Sequence, residues 1–220
     1  MPFFNSDFQL SNVDLESVYV DLPALFAFKK GTSTQSQTDV LSFVLLPILA
    51  ANKRYSAFDS PADWFGELHT TMIKVGFVVS GYWSISEIPS DTTLSRLALD
   101  KIDGDAHDAV EQAIEAIGRS GNEHPLQILN SAVGNRKNTA FLTGFASRDE
   151  NASIVTIYGF FGKISKPNDH VLESGFKAGN SIDIAKMNVH FPDDMIAGRR
   201  EEVMDKLGMY YDHLVELVKM

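Results

Sequence analysis

The sequence predicts an α+β domain of layered α/β type. A largely antiparallel sheet is wrapped on both faces by helix hairpins, and the chain ends in a long amphipathic helix. Three observations carry this reading. Residues 139–147 and 152–165 are strand-like and apolar on both faces: Ile154, Tyr158, Phe160 and Ile164 point one way, Val155, Ile157 and Phe161 the other. A sheet with one wet face alternates apolar with polar residues, whereas a sheet covered on both faces does not. Helical stripes lie before and after this block and supply the cover. The late strands follow one another too closely for a crossover helix between each pair, which makes that part of the sheet largely antiparallel.

Along the chain, residues 1–16 mix polar and aromatic types and are expected to form an irregular arm. Residues 17–22, Ser-Val-Tyr-Val-Asp-Leu, predict a short strand, and Pro23 places it at an edge or an end. Thr38 or Asp39 is a fitting cap for a helix reaching about Asn52, with Pro47 kinking or splitting it. Ser60-Pro61-Ala62-Asp63 is a helix start, with Trp64, Phe65, Leu68 and Met72 on one face. From Ile73 the pattern has period two through Val75, Phe77, Val79, Trp83 and Ile85, which predicts a long strand over 73–86; a helix continuing through Val75, Val79 and Tyr82 is the competing reading. Asp91-Thr92-Thr93 opens another helix with Leu94, Leu97 and Ala98 apolar, Gly104 interrupts it, Asp105 recaps, and Ala106, Val110, Ala113, Ile114 and Ile117 form the next stripe. A shorter helix begins at His124-Pro125, and 134–138 is a turn.

The strands 139–147 and 152–165 pair as a hairpin through 148–151. A third strand covers 181–191. Its apolar phase shifts from Ile182 and Ile184 to Met187, Val189 and Phe191, which predicts a bulge near Ala185-Lys186. Pro192-Asp193-Asp194 then starts the last helix, with Val203, Leu207, Tyr210, Leu214 and Leu217 as its buried stripe. No repeat or linker divides the 220 residues, so a single domain is expected.

The composition narrows the function classes. The net charge of −10 argues against nucleic acid, because phosphate neutralisation needs clustered Lys and Arg. It also argues against stable docking on anionic lipid, while leaving apolar contact with neutral lipid open. The absence of cysteine removes disulfides, thiol catalysis and thiolate metal sites. Residues 1–7 lack the basic and apolar stretches of a signal peptide, and the longest apolar run, 40–51, is shorter than the ~20 residues that span a bilayer. A chain soluble as synthesised is therefore expected, cytoplasmic or exported by a non-classical route.

The densest ionisable cluster is Asp100, Asp103, Asp105, His107, Asp108 and Glu111. A calcium loop starting at Asp100 fails, because Ile102 stands third and Gly104 fifth. His107 and Glu111 lie four apart on one helical face, so His107, Asp108 and Glu111 are candidate metal ligands. Capping explains the same acids without a metal. His69 with the His107-Asp108 pair matches fragments of a metal-dependent phosphohydrolase site, but that chemistry belongs to an all-helical fold. Gly134-Asn135-Arg136-Lys137-Asn138 lacks the flanking strand and helix of a phosphate loop, and Ser80 lacks the nucleophile-elbow pattern. No cofactor is expected. Phe141, Phe145, Tyr158, Phe160 and Phe161 are core by periodicity. They are also the candidate membrane contacts of a sheet that helices cover in the soluble state.

Phe141-Leu142-Thr143-Gly144-Phe145 leading to Ile157-Tyr158-Gly159-Phe160-Phe161 looks like the first late hairpin of a known family, and 180–192 looks like its last strand. Over 36–192 the order of elements resembles the Cyt-type cytolytic δ-endotoxins and related fungal cytolysins and bacterial virulence factors. The chain departs from that pattern by lacking a hairpin over 166–180 and by its longer, more charged terminal helix. The resemblance implies a non-enzymatic soluble protein whose helix hairpins swing off the sheet at a membrane. Two alternatives stay open. One is a binding module that forms a homo-oligomer through the 17–28 edge or the terminal helix. The other is a metal-dependent hydrolase using the cluster near 100–111.

Overall fold

The computed structural model describes residues 13–119, 121–134 and 137–220. Most of the expected arm over 1–16 lies outside these residues, as do Asn135 and Arg136 of the 134–138 turn; Leu15 already belongs to the first strand. Strands β1 (Leu15–Asp21) and β2 (Ala24–Lys29) form an antiparallel pair. Helix α1 (Thr34–Arg54) follows, then α2 (Pro61–Val75) and strand β3 (Val78–Glu87). The two-residue strand β4 (Thr92–Thr93) leads into α3 (Leu94–Leu99), α4 (Gly104–Ile117) and α5 (Glu123–Val133). Strands β5 (Asn138–Asp149) and β6 (Ala152–Lys163) form the expected hairpin, in register from Asn138–Lys163 to Asp149–Ala152. A short 3₁₀ turn and the two-residue β7 (Gly175–Phe176) precede β8 (Ser181–Pro192). The chain ends with α6 (Asp193–Leu207), α7 (Met209–Leu214) and β9 (Val215–Val218).

Among the described residues, seven strands form one mixed sheet in the order β3-β8-β6-β5-β2-β1-β9, and β4 pairs with β7 apart from it. The β2–β5 pair is parallel and the other described pairs are antiparallel. The parallel pair follows from connectivity, since α1 to α5 lie between the two strands and allow a crossover.

The sheet's inward residues divide by parity. Phe141, Phe145, Tyr158, Phe160 and Ile164 join a core with Leu94, Ala109, Val110, Ala113 and Leu129 of α3, α4 and α5. Ala140, Leu142, Val155, Ile157 and Phe161 join a second core with Phe43, Val44, Trp64, Leu68 and Val203 of α1, α2 and α6. Successive residues of a strand face opposite ways, so the two cores occupy opposite faces. This is the both-face burial that the hairpin sequence predicts.

Several expectations are corrected. The 73–86 segment is not one strand. The helical face of Trp64, Phe65, Leu68 and Met72 carries α2 on to Val75. Gly76, at φ 108°, then caps it in the left-handed region open to glycine, and β3 begins at Val78. Helix α1 starts at Thr34, because Ser33 accepts the N–H of Ser36, and it runs through the buried Pro47 unbroken. Its burial on most sides holds it across the missing hydrogen bond.

The bulge near Ala185-Lys186 is absent, since β8 keeps one register with both neighbours along its length. The phase shift has another cause. Ile182 and Ile184 pack in the first core, and Ala185, Met187, Val189 and Phe191 in the second, so the covered face changes along a regular strand. The long terminal helix is broken at Gly208, where φ is 51°, and the chain ends in β9 paired with β1. Tyr210 and Leu217 are exposed rather than part of a buried stripe. The 17–28 segment is interior, because β9 covers β1 and β5 covers β2; among the described residues the sheet's edges are β3 and β9.

Candidate functional site

The most distinctive arrangement is the aromatic floor of the first core and the helix layer above it. Phe141 and Phe160 stand side by side on β5 and β6, with ring centroids 6.3 Å apart and nearly parallel. Phe145 and Tyr158 extend the same face. Phe161, the fifth candidate contact, lies on the opposite face, where it stacks on Trp83 at 5.3 Å and meets Trp64 and Phe65. All five are buried.

The two helix layers are held differently. On the Phe161 side, α2 contributes Trp64, Phe65, Leu68 and Met72. Trp64 also donates its indole N–H to Asn52 Oδ1 of α1 at 2.7 Å. Arg200 of α6 grips Asp39 of α1 through two bonds of 2.7 Å, and Arg148 of β5 grips Asp193 of α6 through bonds of 2.6 and 2.7 Å. Bidentate guanidinium–carboxylate pairs are among the strongest polar contacts in proteins. On the aromatic side, α4 buries Ala106, Ala109, Val110, Ala113, Ala116 and Ile117. Four of these six are alanine, so α4 lies close to the sheet yet contributes little apolar area per residue.

Asp103, just before α4, ties this layer to the sheet. Its backbone is extended as a cap requires, but its side chain makes no capping bond. Instead Oδ1 accepts the hydroxyl of Tyr158 at 3.0 Å and lies 3.5 Å from Lys186 Nζ. Lys186 also stands over the Tyr158 ring at 5.0 Å, and the two residues are register partners on β8 and β6. The Tyr158 hydrogen bond, and then the Lys186 charge, hold the Asp103 carboxyl below its ordinary pKa. The layer's other ties include Asn122, which bonds Ala116 and both backbone groups of Lys219 in the last strand's tail.

At the far end of the sheet, Asp21 is fully buried, and among the described residues neither carboxylate oxygen has a hydrogen-bond partner. Burial pushes its pKa well above the ordinary carboxylate value. Tyr211 of α7 is pushed up to about 12, first by burial, with smaller contributions from Asp21, Tyr19 and Asp212. Nothing in the local pattern Tyr-Val-Asp-Leu marks Asp21 as buried; that follows from β9 pairing Val215 against it.

The structure does bring His107, Asp108 and Glu111 together. One potential ligand atom from each lies within 4.8 Å of the others, and His107 Nδ1 is 3.2 Å from Asp108 Oδ1. All three are partly exposed. Glu111 also lines a groove of about 800 Å³ between α3, α4 and the β4–β7 pair, where Arg96, Lys166 and Lys177 mix with Glu115 and Glu173. His69 does not join this group. It sits on α2 and His107 on α4, in layers on opposite faces of the sheet. Asp103 holds the cap position of α4 as the sequence predicts, but its side chain goes to Tyr158 and Lys186, a pairing the sequence does not signal, and Lys186 lies on a regular strand rather than in a bulge.

No family model and no curated protein sequence matches the chain. Among solved structures it is similar to a δ-endotoxin at 10% identity and a TM-score of 0.46, covering 87% of this chain and 90% of that one. It is also similar to the Evf virulence factor at 10% identity and a TM-score of 0.39, covering 89% and 85% of the two chains. The resemblance in element order thus stands as a distant one, and no residue role is carried across.

Proposed function

We propose that this is a non-enzymatic, membrane-active protein of cytolysin or virulence type. Its helices wrap the sheet as detachable pairs, and α3–α5 form the layer that lifts to hand the aromatic face to lipid. The observation that supports this most is the contrast between the two covers. The layer over Phe141, Phe145, Tyr158 and Phe160 has an alanine-rich α4, the Asn122 hydrogen bonds and two exposed carboxylate ties, Asp103 to Tyr158 and Lys186 and Asp105 to Lys29, neither of them a bidentate arginine pair. The opposite layer has large aromatic side chains and two bidentate arginine pairs.

The magnitudes favour exchange over simple opening. Four aromatic side chains bury on the order of 200 Å² each, worth about 20 kcal/mol together at ~25 cal/mol per Å². That exceeds the ~5–15 kcal/mol stability of a typical domain, so the face stays covered in water. Hydrocarbon returns the same transfer energy, so contact with a bilayer removes most of the cost. An open sheet cannot span a bilayer, because its edge groups would go unpaired there. The face therefore lies on the membrane. Among the described residues, no helix is long and apolar enough to cross it.

Dye leakage from, and co-sedimentation with, neutral and anionic vesicles across pH test the proposal. Binding and leakage on neutral lipid are expected; absence of both on every lipid overturns it. The second reading, a divalent-ion site at His107, Asp108 and Glu111, rests on their convergence. It predicts bound metal in the purified protein and a rise in melting temperature with added zinc, both lost in His107→Ala.

A further inference from the structure

The edge strand β3 is unlike the rest of the sheet. It is 10 residues long, and Val78, Tyr82 and Ile85 are 69%, 54% and 70% exposed. Val78 to Ser86 contains no charged residue and no proline. Among the described residues its only strand partner is β8, so every second residue turns its backbone N–H and C=O outward, unpaired. Edges are ordinarily blunted by short length, lysine, proline or a bulge. The opposite edge follows that rule, since β9 has only four residues. β3 has none of these devices.

We propose that β3 pairs antiparallel with β3 of a second copy, centred on Tyr82, to make a two-fold dimer with a continuous sheet. Three features point to a second copy as the partner. The first is self-complementarity. Centring on Tyr82 sets Val79 opposite Ile85 of the other copy, and Gly81 opposite Trp83, all on the face where Val79 and Trp83 already pack against the second core. On the other face Val78 meets Ser86, Ser80 meets Ser84, and Tyr82 meets Tyr82.

The second feature is charge. A chain of net charge −10 repels its own copy over most of its surface, and a neutral strand is a place where two copies meet without opposing like charges. The third is closure. A two-fold contact uses the same strand on both copies and covers both open edges at once.

Sedimentation of the full chain across concentration is the first test, with a species of twice the 24.3 kDa protomer expected. Tyr82→Lys sets two ammonium groups face to face, and Ile85→Lys puts a charge where an apolar contact forms. Each is expected to weaken association at least about tenfold. Both side chains are exposed, and a melting temperature equal to the wild type's at a dilution where both are monomeric shows that the protomer remains folded. Tyr55→Lys, at an exposed site off the edge, should leave the dimer intact. Because the chain has no cysteine, Tyr82→Cys should cross-link to itself under mild oxidation, as opposed Cα atoms about 4.5–5.5 Å apart allow, whereas Ile154→Cys should not. A monomer at every concentration overturns the proposal. So does a dimer that survives both lysines, or a dimeric Tyr82→Cys that does not cross-link.

Discussion

Leu129→Ala on α5 and Leu68→Ala on α2 make a matched pair that tests which helix layer lifts. Both leucines are fully buried, one in each core. Each truncation removes the same atoms and leaves a cavity of similar origin, at a cost of about 3 kcal/mol. Guanidinium unfolding should show comparable losses for the two variants. Vesicle leakage should not. If α3–α5 must leave the aromatic floor before lipid reaches it, Leu129→Ala favours that opening by its lost packing energy. A loss of about 3 kcal/mol is on the order of a 100-fold larger opening constant, and the leakage rate should rise toward that factor. Leu68→Ala weakens a layer that stays in place, so its leakage rate should remain near that of the wild type. Equal acceleration in both variants, or an unchanged rate in Leu129→Ala despite its lost stability, would refute the assignment of the mobile layer.

Three further outcomes follow from individual side chains. Asp103→Asn should raise leakage at neutral pH and flatten its acid dependence; because the folded pKa of Asp103 is lowered, its tie is intact above the ordinary carboxylate value and is lost as pH falls through the lowered one. Asp21 has the opposite sign. Its folded pKa is raised, so the unfolded chain ionises first and stability falls as pH rises from the ordinary value toward the raised one; Asp21→Asn should match the wild type in acid and be the more stable at neutral pH in denaturant melts. Gly144→Ala should cost about 1–3 kcal/mol in the same melts, because an added Cβ would overlap the Phe26 ring on the neighbouring strand.

The β5–β6 hairpin was legible in the sequence because its pattern is local. Alternate residues of one strand face opposite ways, and Tyr158 and Phe160 against Val155, Ile157 and Phe161 require two covers whatever surrounds them. Ser60-Pro61 likewise marks the start of α2, and Asp91-Thr92-Thr93 that of α3, where Thr93 is the cap. The misreadings share one cause. Ile73 and Val75 suit a strand or a helix by period alone, and the helical face continuing from Met72 to the left-handed Gly76 decides for the helix. The phase of β8 looks like a bulge until its two neighbours and two covers are known.

By itself, the sequence determined the α+β class, the both-face burial of the central hairpin, the acidic and cysteine-free character, and the proximity of His107 to Glu111 one helical turn on. These depend on composition and on spacings of two or four residues, which backbone geometry converts directly into direction. Only the tertiary structure decided that Asp103 ties α4 to Tyr158 and Lys186, 55 and 83 residues away. It alone showed that Asp21 is sealed beneath a C-terminal strand, that β3 rather than β1 is the open edge, and that the two covers are held unequally. Each of these depends on which distant segments become neighbours, a choice made by the joint packing of both cores rather than by any local pattern.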